Sequence, residues 1–104
     1  MQTAACWVVV TPNGRHAYVT NTASGTISSY AVQKSGKLTL AQPVAATSGA
    51  GPIDAAIAGS GRHLFVLNSV SQSITSFSVG RDGSLANPGS VSGLPAGANG
   101  LAAN

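Results

Sequence analysis

Gly14-Arg15-His16-Ala17-Tyr18-Val19-Thr20-Asn21 returns as Gly61-Arg62-His63-Leu64-Phe65-Val66-Leu67-Asn68, an offset of 47 residues from Gly14 to Gly61. The offset persists beyond that stretch: Thr26-Ile27-Ser28-Ser29-Tyr30-Ala31-Val32 answers to Ser73-Ile74-Thr75-Ser76-Phe77-Ser78-Val79, and Gly36-Lys37-Leu38 to Gly83-Ser84-Leu85. A fixed period of this length marks stacked supersecondary units, none able to bury its apolar faces alone.

Working outward from the repeat, residues 6–11 are almost uniformly apolar and β-branched, which predicts a strand covered on both faces. Pro12-Asn13-Gly14 then supplies a hairpin turn. Residues 16–21 form a second strand, with Ala17 and Val19 on one face and Tyr18 and Thr20 on the other. A turn at 21–25 leads to a third strand at 26–32. There the large residues Ile27 and Tyr30 are three apart, as are Ile74 and Phe77, so a bulge or strong local twist is expected in this strand. A polar turn at 33–36 precedes a fourth, more polar strand from Lys37 to about Val44. The second copy places its strands at 53–58, 63–68, 73–79 and 85 to about 91. Four antiparallel strands in under fifty residues make one blade of a β-propeller. The fold class is all-β: two four-stranded antiparallel blades, part of a closed ring or assembling into one. Residues 1–50 are the first blade, 51–93 the second, and 94–104 start a third blade or supply a ring-closing strand.

The composition agrees with that pattern. Charged residues are 7% of the chain against 13 glycines, which suits short strands and tight turns better than helices. The five Lys and Arg are spread from Arg15 to Arg81 without a cluster in the sequence, so no nucleic-acid partner is expected. The single cysteine, Cys6, has no partner for a disulfide, and its apolar neighbours mark it as a structural thiol. Without a basic region followed by an apolar segment, and without a long apolar run, the chain reads as soluble, with no signal peptide and no membrane partner. A parent protein is expected to be either cytoplasmic or exported.

The paired GRHAYVTN and GRHLFVLN segments, TISSYAV and SITSFSV, GPIDAAIA and the final LPAGANGLAA resemble the lactonase family of seven-bladed β-propellers, which includes bacterial 6-phosphogluconolactonases. The resemblance covers nearly the whole chain. It implies that these are the last two blades of a seven-blade ring, and that the parent opens a lactone at one mouth of the central channel. Two blades enclose no channel, so the chain is either a fragment awaiting its missing blades or the protomer of a homo-oligomer. Three copies would give six blades in a closed ring.

Within that reading, His16 and His63 are candidate general bases toward water attacking a lactone carbonyl, although their recurrence in both copies favours a structural role. Arg15 and Arg62 are candidate binders of a carboxylate or phosphate, with a surface role beside a turn as the competing reading. Asp54 differs in kind, because it replaces Trp7 at the equivalent repeat position. In a propeller the first strand lines the channel, so a carboxylate at its start is a candidate catalytic group. Trp7 itself is expected in the core. Asn21 and Asn68 read as structural, bonding their own backbone at strand ends. No metal motif or cofactor signature is present, and none is expected. The lactone-hydrolase reading rests on resemblance alone. Its alternatives are a propeller module that binds without chemistry and oligomerises to close its ring, and a fragment with no activity of its own.

Overall fold

A computed structural model describes residues 5–58 and 61–93, with side chains from residue 7 onward. The segment 94–104, with its expected ring-closing strand, and the Cys6 side chain lie outside the described residues. Eight strands form two antiparallel sheets in strict chain order. The first blade contains β1 (Ala5–Val10), β2 (His16–Asn21), β3 (Thr26–Val32) and β4 (Leu38–Thr47), and the second β5 (Pro52–Ala58), β6 (His63–Asn68), β7 (Ser73–Val79) and β8 (Leu85–Ser92).

The core lies between the blades and takes side chains from both. Tyr18 and Ile27 from the first blade meet Ala55, Leu64, Val66 and Phe77 from the second, all 5% exposed or less. Register explains the choice of face: Tyr18 pairs with Ser29 and Thr20 with Ile27, so these residues share the side of the first blade turned toward the second. On the far side of the first blade, Val8 pairs with Val19 and Val10 with Ala17.

Four expectations need correction, the last of them at the asparagines that end β2 and β6. β1 is not covered on both faces, since Val8 and Val10 are 57% and 52% exposed, while their repeat counterparts Ala55 and Ile57 pack into the core. The difference is a neighbour: the second blade has the first against that face, and among the described residues nothing covers the same face of the first. Trp7, expected in the core, is 47% exposed at the innermost strand. The bulge expected in the third strand lies in the fourth. β3 pairs with β2 without interruption, whereas Ile27 and Ser29 oppose Ala46 and Gln42 on β4, and Ser76 and Ser78 oppose Gly89 and Ala86 on β8. The extra residues therefore belong to the outer strands, and Asn87 takes the positive φ of 52° that such an irregularity needs.

A second pair of bulges was not anticipated. Ala5 and Trp7 oppose adjacent residues Asn21 and Thr20, and Pro52 and Asp54 oppose Asn68 and Leu67, so one residue is extra at the same place in both first strands. Asn21 and Asn68 close the neighbouring strands, fully buried, and their amides donate to hydroxyls across the turn rather than to their own backbone. Asn21 Nδ2 donates to Ser28 at 3.0 Å, and Asn68 Nδ2 to Thr75 at 2.9 Å.

Candidate functional site

The chain-order topology sends alternate turns to opposite ends of each blade. The turns β1–β2, β3–β4, β5–β6 and β7–β8 share one end, and β2–β3, β4–β5 and β6–β7 the other. The first end gathers Arg15, His16, Lys34, Lys37, Arg62, His63 and Arg81, which is every Lys, Arg and His of the chain. What the linear sequence spreads without a cluster, the fold collects on one rim, and all five Lys and Arg are exposed there.

His16 is engaged in packing at this rim. Its Nε2 lies 3.3 Å from the Arg81 carbonyl oxygen, to which it donates in the Nε2–H tautomer. Beside it, the Tyr18 hydroxyl donates to the Gly83 carbonyl at 2.6 Å. The β7–β8 turn thus sits on the first blade through two side chains of β2. Burial, reinforced by the nearby Asp82 carboxylate, pushes the Tyr18 phenol from 10.0 up to about 12. Hydrogen bonds from the Ser84 side chain and backbone amide hold Asp82 below the ordinary carboxylate range, with the charge of His16 as the smallest contribution. Among the described residues, His63, at the same repeat position, meets no such turn. It is exposed, its ring tilted against Phe65 at 6.5 Å, in an open hollow of about 590 Å³ that it lines with Arg62, Ser78 and Arg81.

Asp54 stands at the other end, immediately after the bulge at Ile53. It is 5% exposed, and its Oδ1 accepts the Ala55 amide at 2.7 Å. A separate open hollow of about 450 Å³ lies at the same end, between the β2–β3 turn at Thr22, Ser24 and Gly25 and the residues Ala50, Gly51 and Val70. The Thr22 hydroxyl donates across this end to the Pro52 carbonyl at 2.8 Å, and Ser48 to Asn68 Oδ1 at 2.6 Å, so the start of β5 is pinned by the first blade.

Asp54 and the two histidines are therefore not brought together. Asp54 pairs with Leu67 while His63 pairs with Ala58, a separation of four residues along β5, or about 13 Å. Arg15 and Arg62 share the histidine end. Sequence reasoning missed Tyr18 and the Asp82–Gly83 turn, although a signal existed. The two copies differ in step: Tyr18 is replaced by Phe65, and Asp82 stands where the first copy has Ser35. The residue that donates and the turn that receives change together.

Among the described residues, no three His, Cys, Asp or Glu side chains converge as a metal site, and no helix is long and apolar enough to cross a membrane.

A family model described as lactonase, 7-bladed beta-propeller, matches residues 2–101. No curated protein matches at a significant level. Among solved structures, a protein from Lactobacillus plantarum is 25% identical with a TM-score of 0.77, over 88% of this chain and 27% of its own. The periplasmic gluconolactonase of Pseudomonas aeruginosa is 26% identical with a TM-score of 0.70, over 86% of this chain and 27% of its own. A protein from Desulfotomaculum acetoxidans, 22% identical with a TM-score of 0.75, matches in fold over 86% of this chain and 27% of its own. The chain thus spans about a quarter of the length of these proteins, close to two blades of seven.

Proposed function

Because the chain belongs to the lactonase family of seven-bladed β-propellers, we propose that it supplies two blades of a propeller that hydrolyses a lactone, with Asp54 at the channel mouth. The observation that carries this reading is the bulge shared by both first strands, after which one copy places Trp7 and the other a carboxylate. Bulges re-aim side chains and recur beside active sites. In this role Asp54 takes a proton from the attacking water as oxygen bonds to the lactone carbonyl carbon. The ring C–O bond then breaks, and the alkoxide leaving oxygen is protonated to give a hydroxy acid. His16, His63, Arg15 and Arg62 stand at the opposite mouth, where the reading gives them blade packing and, for the arginines, contacts to an anionic group.

A completed ring is required, supplied either by the missing blades of a parent propeller or by copies of the same chain, three of which would give six blades. The test is acid release from gluconolactone by the assembled protein, above the spontaneous rate. Asp54→Asn is expected to lower kcat/KM by roughly 10²- to 10⁴-fold, the range for a general base. An unchanged rate in that variant would remove Asp54 from the chemistry.

A second reading, a binding module without chemistry, is favoured by the gathering of all five Lys and Arg on one rim, a surface suited to small anions. Saturable binding of a sugar acid with no lactone turnover would select it.

A further inference from the structure

The blade contact within the chain is also a template for a contact the chain leaves unmade. On one side of it stand His16 and Tyr18, and on the other the turn in which Gly80 N–H donates to Ser84 O at 2.8 Å and Gly83 N–H to Gly80 O at 3.0 Å. The first blade carries the same turn: Gln33 N–H donates to Lys37 O at 2.9 Å and Gly36 N–H to Gln33 O at 2.8 Å, with φ of 87° at Gly36 against 85° at Gly83. The second blade carries the same receiving surface, His63 and Phe65 beside an open hollow. Each half is therefore present twice and, among the described residues, used once.

Burial follows the same rule. Tyr18 is 1% exposed where Phe65 is half-buried, and Val66 is fully buried where Val19 is half-buried. Among the described residues, the front of the second blade and the back of the first repeat the two sides of the internal contact without meeting each other.

We propose that a second copy of this chain docks head to tail, its Gln33–Lys37 turn entering the hollow beside His63 and Phe65. The proposal rests on the reading above in which copies of the chain complete the ring, and it gives that assembly its contact. A heterologous contact of this kind closes when the rotation allows: six blades need 60° each, against about 51° in a seven-blade ring. The copied contact keeps one polar link of the original, with His63 for His16 and the Lys34 carbonyl for that of Arg81, and lacks the other. Phe65 has no hydroxyl to donate to the Gly36 carbonyl, the turn carries Ser35 in place of the Asp82 carboxylate, and Lys34 and Lys37 approach Arg62. Apolar area drives it, and the polar rim opposes it.

The test is the mass of the intact chain by light scattering over a concentration series, for wild type, the Ser35→Asp, Phe65→Tyr double variant and Gly36→Ala. The double variant restores the hydroxyl donor and the carboxylate of the template and is expected to tighten association about 10-fold. Gly36→Ala adds a Cβ that meets nothing within 4 Å in the single chain but, by the Gly83 template, falls on the neighbour's His63, and it is expected to weaken association. Oligomers whose affinity ignores both changes would overturn the head-to-tail site while leaving self-assembly standing. A monomer in every variant and at every concentration would overturn both, and would give the two faces to other blades of a longer chain.

Discussion

Tyr18 joins the two blades with one hydroxyl, and its environment makes that link readable by pH. The phenol is buried and donates to the Gly83 carbonyl at 2.6 Å, an interaction available only while it is protonated. With the folded value raised from 10.0 to about 12, the stabilisation is complete below pH 10 and is lost as pH climbs through 12. Tyr18→Phe leaves the Gly83 carbonyl without that donor and is expected to cost about 1–3 kcal/mol at neutral pH. Thermal melts at intervals from pH 8 to 12 should show a constant gap between wild type and variant up to about pH 10, then a closing gap. A gap that stays constant to pH 12 would mean that the hydroxyl contributes nothing specific to its protonated form. Asn68 is the other joining residue: it spans β6 and β7 through Ser73 and Thr75 and accepts from Ser48 of the first blade, whereas Asn21 makes the matching bonds within its own sheet.

Turns, rather than strands, carry the differences between the two copies. Gly36 and Gly83 share a left-handed conformation, so alanine at either position incurs a backbone penalty of about 1 kcal/mol. Only Gly83 faces the other blade, where a Cβ would lie 2.5 Å from His16 Nδ1. Gly83→Ala is therefore expected to cost roughly 2 kcal/mol more than Gly36→Ala in urea unfolding, since relieving the overlap pushes His16 off the turn. Measured at a concentration where the chain is monomeric, equal losses would remove His16 from the blade contact. The limits of β2 and β6 were legible in the sequence because a glycine two residues before each and an asparagine at its end recur at a fixed offset, and those of β3 and β7 because the strand segment itself recurs. The bulges were less legible. Ile27 and Tyr30 break alternation because Ile27 faces the second blade and Tyr30 the far side, and a strand with two apolar faces need not alternate. The outer strands β4 and β8 take up the irregularity because one edge of each is unpaired. At the candidate site, Asp54 was visible as a departure from the repeat. Its separation from the histidines follows only from counting turns in an antiparallel sheet, and the cationic rim was hidden for the same reason.

One buried apolar cluster serves both copies of the repeat. The buried apolar cluster takes Tyr18 and Ile27 from the first copy and Ala55, Leu64, Val66 and Phe77 from the second, so neither copy holds a core of its own. A four-stranded sheet of about fifty residues with no partner for its apolar face cannot offset its conformational entropy. Residues 1–50 and 51–104 prepared as separate peptides are thus expected to be largely unstructured by circular dichroism. Mixing them should recover the strand signal, because the contacts that replace the lost covalent link are the same side chains: Thr22 on Pro52, Ser48 on Asn68, Tyr18 on Gly83. The recovery should saturate at equal amounts of the two halves, and Tyr18→Phe in the first half should weaken it about 10-fold, the equivalent of roughly 1.4 kcal/mol. If residues 51–104 folded alone with native-like thermal cooperativity, the second blade would have to contain its own core. The burial of Leu64 and Val66 against the first blade would then be an accessory to its stability instead of its source.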